Sequence, residues 1–169
     1  MLFKIICVGK IKEEYYSSQI QELCKQINKK NRVEIIQSED EKIPKNASDA
    51  VKQKIIETES RNSASIGKND FVIALCIEGK KYTTEQFAAI IRQAEEREYE
   101  AVSFLIGGSL GTSNELVRCA DVKMSFSDMT FPHQLMRVML LDQIRIICDI
   151  DGIGTIELFR KGNQADLVR

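Results

Sequence analysis

A chain of 169 residues with 43% hydrophobic and 29% charged residues has the composition of one soluble globular domain, long enough to bury about two thirds of its unfolded surface. Its formal net charge of −1 argues against indiscriminate nucleic-acid binding, which needs a broad basic surface, but leaves room for a local basic patch. No apolar run reaches the roughly 18 residues of a membrane span, and the opening MLFKIICVGK is too short and too soon interrupted for a signal peptide, so a cytoplasmic protein without membrane contact is expected.

In chain order, LFKIICV (Leu2 to Val8) reads as a strand that ends at Gly9. Lys10 to Lys29 reads as a charged amphipathic helix, with Tyr16, Ile20, Leu23 and Ile27 recurring at helical spacing. VEIIQ (Val33 to Gln37) is a second strand, and EDEKIPKNASD an exposed loop. A polar helix is expected from Ala47 to about Ser65, N-capped by Asn46. FVIALCI (Phe71 to Ile77) is the most continuous β-type run, as for a strand buried on both faces. TTEQFAAIIRQAEE follows as a helix capped by Thr83 or Thr84, then AVSFLIGG (Ala101 to Gly108) as another buried strand. A short helix from about Ser113, a strand at VKMSF and a helix opened by Pro132 complete the pattern. Strands alternating with helices predict a single α/β domain with a mostly parallel sheet.

The five cysteines, Cys7, Cys24, Cys76, Cys119 and Cys148, form no CxxC pair, and His133 is the chain's only histidine. No metal site is expected from such spacing; reduced thiols are.

Ligands of parallel sheets collect beyond the carboxyl ends of the strands. Three strand ends here carry loop-like sequence: LCIEGKK, LIGGSLG and SFSDMTFP. The first strand exits through VGKIK without GxGxxG, and IGGSLG offers only Gly107, Gly108 and Gly111 with no Walker lysine, so neither a dinucleotide loop nor a P-loop is indicated. By itself GGxxG means a tight turn more often than a ligand loop. Pro132 suits a first helical turn, and places His133 and Arg137 one turn apart on the helix that follows. From the residues alone, His133 could equally be satisfying orphan groups at the helix start.

Taken together, VGKIKEEYY, EDEKIPKNASD, LCIEGK, FLIGGSLG and above all MSFSDMTFPHQLMRVMLLDQI resemble the RlmH family of SPOUT methyltransferases over about residues 1 to 144. That family methylates N3 of a pseudouridine in 23S ribosomal RNA. The resemblance implies a C-terminal trefoil knot, a homodimer, and S-adenosylmethionine held in the knot. Carried over residue by residue, its cofactor contacts fall on Leu75, Gly107 and the loop Phe126, Ser127, Asp128, Met129, Thr130 and Phe131, within which the Asp128 side chain is expected to be solvated. It also implies that His133 and Arg137 face the target base in 23S rRNA. There a cation such as Arg137 would stabilise the charge left on the imide nitrogen, and His133 would assist proton removal. Leu135, Val138, Met139, Leu141 and Ile144 give the last helix more apolar surface than one side of a small domain needs, so part of it is expected to meet a partner subunit.

The resemblance fades after about residue 144. Members usually end in a Tyr-His followed by a basic residue, whereas here no tyrosine follows Tyr99 and no histidine follows His133. The chain is therefore divided into a SPOUT domain, residues 1–148, and a divergent tail, residues 149–169. Two other classes stay open: a paralogue that binds the cofactor but methylates a different RNA or none, and a non-enzymatic α/β dimer.

Overall fold

The structure is a computed structural model that describes residues 1–38, 44–59, 64–108, 110 and 113–149. The expectations for the acidic loop at 39–43 and for the tail beyond residue 149 lie outside the described residues.

Five parallel strands form one sheet in the order β2-β1-β4-β3-β5: β1 (Leu2–Val8), β2 (Arg32–Ser38), β3 (Asp70–Lys81), β4 (Ala101–Ile106) and β5 (Val122–Ser125). The helices are α1 (Glu14–Ile27), α2 (Asp49–Glu59), α3 (Thr84–Glu96), α4 (Asn114–Cys119) and α5 (His133–Asp149). On one face of the sheet Phe3, Ile5, Ile73 and Phe104 pack against Ile20 and Ile27 of α1, Phe87 and Ile91 of α3, and Leu140, Leu141 and Ile144 of α5. On the other face Ile6, Val72, Ala74 and Leu105 meet Ile36, Ile66, Leu116 and Val117. Successive strand residues thus point into two different cores, which is why β1, β3 and β4 read as unbroken apolar runs rather than alternating ones.

The helix boundaries follow from caps. Thr83 accepts a hydrogen bond from the Gln86 backbone N–H while the Gln86 side chain accepts from the Thr83 N–H, a reciprocal box that starts α3. The second helix begins at Asp49 rather than Ala47, because Ser48, not Asn46, caps it: the Ser48 hydroxyl accepts from the Val51 N–H at 3.4 Å. It is described as far as Glu59; the expectation for its continuation toward Ser65 falls on residues 60–63, outside the described residues. The first helix starts at Glu14, not Lys10. Gly9 turns the chain at φ 78°, and Ile11 is spent on packing against the core before the helix begins.

The largest departure concerns LCIEGKK, which is not a loop. β3 runs on to Lys81, and both Leu75 and Lys80 align with Met124 of β5, so the residues between them bulge out of the ladder. Gly79 makes this possible. A Cβ there would sit 2.5 Å from the Met124 carbonyl carbon and 2.7 Å from its nitrogen, so only glycine lets the two backbones pass.

Candidate active site

The bulge of β3 and the loops leaving β4 and β5, together with the start of α5, enclose a cavity of about 500 Å³. The residues expected to meet a ligand converge here from separate stretches of sequence. Leu75 stands in β3 where its bulge begins, Gly107 follows the end of β4, and Phe126, Ser127, Met129, Thr130 and Phe131 come from the loop after β5. His133 and Met136 of α5 close the wall. Their chemistry is divided. Leu75, Ile106, Met124, Phe126 and Phe131 supply apolar surface, while Ser127, Thr130 and Asn114 add hydroxyls and an amide.

The loop after β5 is ordered by its own side chains. The Ser125 hydroxyl donates to the Ser127 carbonyl at 2.9 Å, and the Ser127 hydroxyl accepts from the Met129 N–H at 3.0 Å. Lys81 at the end of β3 forms an ion pair with Asp128. The Pro132 carbonyl accepts from the Met136 N–H at 3.1 Å, so the proline stands where the loop becomes helix.

Two expected residues lie elsewhere. Asp128 does not line the cavity: its side chain is largely exposed and bound to Lys81. Arg137 does not line it either. It is 1% exposed, and its guanidinium donates to the carbonyls of Val8 and, at 2.8 Å, of Gly9, at the carboxyl end of β1. One turn of α5 therefore does not bring His133 and Arg137 together; the first borders the cavity and the second pins the helix to the first strand. Burial pushes the neighbouring Cys7 thiol up to about 11, even though the Arg137 guanidinium pulls the other way.

Two of the residues expected to face a partner are likewise internal. Leu141 and Ile144 are fully buried in this domain's own core, while Leu135, Val138 and Met139 are half-buried. In the other direction, the bulge places Cys76, Ile77 and Glu78 on the cavity wall, which the sequence reading did not anticipate. The available signal was Gly79 breaking an otherwise strand-like run.

A strand bulge and the loops of neighbouring parallel strands that meet around one ligand-sized cavity define an α/β protein with its site toward the carboxyl edge of the sheet. The family described as "Predicted SPOUT methyltransferase" matches residues 1–151, and the chain belongs to it. Within that family its relatives carry a more particular name. A ribosomal RNA large subunit methyltransferase H from Streptococcus thermophilus is 46% identical over 145 residues, covering 85% of this chain and 91% of the relative. The protein of that name from Streptococcus uberis is 45% identical, and a putative one from Methanococcus maripaludis 47% identical, each over the same shares of the two chains. A crystal structure of a probable methyltransferase from Bordetella pertussis Tohama I shares the fold, with a TM-score of 0.50 and 9% identity over 87% of this chain and 94% of its own. The chain is accordingly a methyltransferase, and its family implies a methyl donor of the S-adenosylmethionine type. Among the described residues no helix is long and apolar enough to cross a membrane.

Proposed function

We propose that this protein transfers a methyl group from S-adenosylmethionine to N3 of a pseudouridine in 23S ribosomal RNA, as a cytoplasmic homodimer with a C-terminal trefoil knot. The observation that carries the proposal is the convergence of Leu75, Gly107, the loop 126–131 and His133 on one cavity in a chain 46% identical to a named large-subunit rRNA methyltransferase. The residues suit the donor. About 500 Å³ falls within the roughly 300–1,000 Å³ typical of ligand sites, and the lining pairs apolar walls with a few hydroxyl and amide groups.

In this assignment Leu75, Phe126, Met129 and Phe131 wall the adenine and thioether, Gly107 lets backbone approach closely, and Ser127 and Thr130 offer hydrogen bonds. When bound, the donor supplies a sulfonium methyl group that is already strongly electrophilic. The chain's own task is mainly alignment, worth several kcal/mol, with His133 placed at the cavity wall to take a proton from the imide nitrogen. Arg137 is assigned a positioning role instead of contact with the base. By holding α5 to Val8 and Gly9 it fixes where the helix, and so His133, begins. Half-buried Leu135 and Val138 remain the surface offered to a second subunit, while Met139 lines a smaller cavity on the same helix.

One observation favours a second outcome, a paralogue with the same cofactor and a different RNA: the terminal Tyr-His of the family has no counterpart after His133. Both are tested together. Calorimetry with S-adenosylmethionine should show saturable binding, and purified protein should methylate ribosomes from a strain lacking this activity, read by mass spectrometry of the rRNA. Binding without transfer to any ribosomal substrate establishes the paralogue, and absence of binding overturns the methyltransferase assignment for this chain.

A further inference from the structure

We propose that a second cavity beside the first receives the target base and distinguishes pseudouridine from uridine through Asp142 and Gln143; this rests on the rRNA assignment above. The second cavity, about 270 Å³, shares Met124, Ser125 and Phe126 with the first. Helix α5 contributes His133 and Met136 to the first and Met139 and Gln143 to the second. Steps of three and four residues keep these on one stripe of the helix, so the cavities lie end to end along it, divided at Phe126.

The volume suits one planar ring system, and the walls are made for one. The rings of Tyr82, Phe87 and Phe126 provide stacking surface. Two polar side chains enter with fixed orientation. The Asp142 Oδ1 accepts from Arg145 Nε at 3.0 Å and from Arg145 Nη2 at 2.8 Å, which leaves Oδ2 to accept from a ligand. The Thr84 hydroxyl donates to Gln143 Oε1 at 2.9 Å, so the Gln143 amide presents its NH2 as a donor.

Pseudouridine carries ring N–H groups on both sides of its C2 carbonyl, at N1 and N3. In uridine N1 bears the sugar and has no hydrogen. The Asp142 carboxylate accepts the N1–H and the Gln143 NH2 donates to the C2 carbonyl. N3, on the far side of that carbonyl, is then the nitrogen left for the first cavity. A carboxylate that finds no N–H rejects the analogue lacking it, because its lost hydration is not replaced. The Lys80 ammonium lies 5.2 Å from the centroid of the Tyr82 ring that lines this cavity, and a cation there could pair with a flanking phosphate.

Of the chain's five methionines, Met129 and Met136 line only the first cavity, Met139 only the second, Met124 both, and Met1 neither. Spectra of the full chain with ¹³C-methyl methionine therefore report each cavity separately. S-adenosylmethionine should move Met129 and Met136; pseudouridine at millimolar concentration should then move Met139 and Met124. Uridine and N1-methylpseudouridine should bind about tenfold more weakly, the scale of one hydrogen bond to a charged group. Asp142→Leu should remove that preference while the response to S-adenosylmethionine, which certifies the fold, is retained. A Met139 signal silent to pseudouridine, equal affinity for uridine, or a Met139 signal that moves only on dilution, as at a subunit interface, overturns the subsite. If S-adenosylmethionine moves nothing but Met139 still discriminates the two nucleosides, the base subsite stands and the donor assignment is what falls.

Discussion

The two ends of the sheet are each closed by one buried charge, and the charges are of opposite sign. At the amino end, Asp70 accepts from the Gly67 N–H at 2.9 Å, the Ser103 hydroxyl at 2.6 Å and the Lys4 ammonium at 2.9 Å. At the carboxyl end, Arg137 donates to the carbonyls of Val8 and Gly9. The anion is met by an ammonium, a hydroxyl and one N–H from the segment before β3, and the cation by two backbone carbonyls at the end of β1, so each buried charge is satisfied by hydrogen bonds of matching polarity. The reach of the two clamps differs. Asp70 ties together neighbouring strands and the segment just before β3, whereas Arg137 ties β1 to a helix that follows the ligand loop. The amino-end clamp is therefore expected to govern stability alone, and the carboxyl-end clamp stability and donor binding together.

The largest effect is expected from breaking the amino end. Asp70→Ala removes three partners at once and leaves the Lys4 ammonium, 16% exposed, without its anion; a loss of about 3 kcal/mol is expected, read by denaturant unfolding. Donor affinity of the fraction that remains folded should not change. The same site sets a pH dependence. Burial alone would push the Asp70 carboxyl up, but the bonds from Ser103, Lys4 and Gly67 outweigh it and hold the carboxyl below its ordinary range. The folded state then binds this proton less readily than the unfolded one. Its contribution is complete above the ordinary carboxylate range and is lost as pH falls through the lowered value. Asp70→Asn should flatten that acid limb; an unchanged limb would show that Asp70 is not its source.

Arg137→Met keeps most of the side-chain volume but leaves two carbonyls without a donor, for an expected loss of about 2 kcal/mol. Here calorimetry should also find weaker S-adenosylmethionine binding, since the helix that closes the cavity is no longer held. Loss of stability with full donor affinity would erase the contrast between the two ends. The smallest change sharpens it from within the site: Gly79→Ala forces a methyl group against the Met124 backbone and should cost about 1 kcal/mol or somewhat more. Because the displaced bulge carries Cys76, Ile77 and Glu78 into the cavity wall, donor affinity should fall further than the small loss in thermal stability suggests.

Much of the carboxyl end was legible in the sequence because local rules dominate there. Thr83 announces its capping box with Gln86 three residues on, and Pro132 marks the junction of loop and helix. The ligand loop was legible only through family resemblance, since Phe126 to Phe131 follow no periodicity. What escaped was long-range. The ion pair of Asp128 with Lys81 joins residues 47 positions apart, and Arg137 reaches Val8 across 129; helical spacing put Arg137 beside His133 because it could not see the strand end competing for the guanidinium. The bulge failed for a related reason: a run such as FVIALCI shows that a strand exists, but where it pauses depends on the partner, here Met124. Leu141 and Ile144 were assigned to an interface because the sequence shows how apolar a helix is, not how many layers cover it.

The contact of Arg137 with Val8 and Gly9 also bears on the order in which the molecule assembles. A bond that spans nearly the whole domain is formed only after a large loop has been closed, so its entropic cost is met before any return. Neither the first strand's carbonyl end nor the cavity beside it can be complete until the last helix is in place. On a ribosome, β1 emerges long before the arginine that secures it. Slow refolding for a domain of this length is the expected result, with amides of β1 and α5 gaining hydrogen-exchange protection in the same final step.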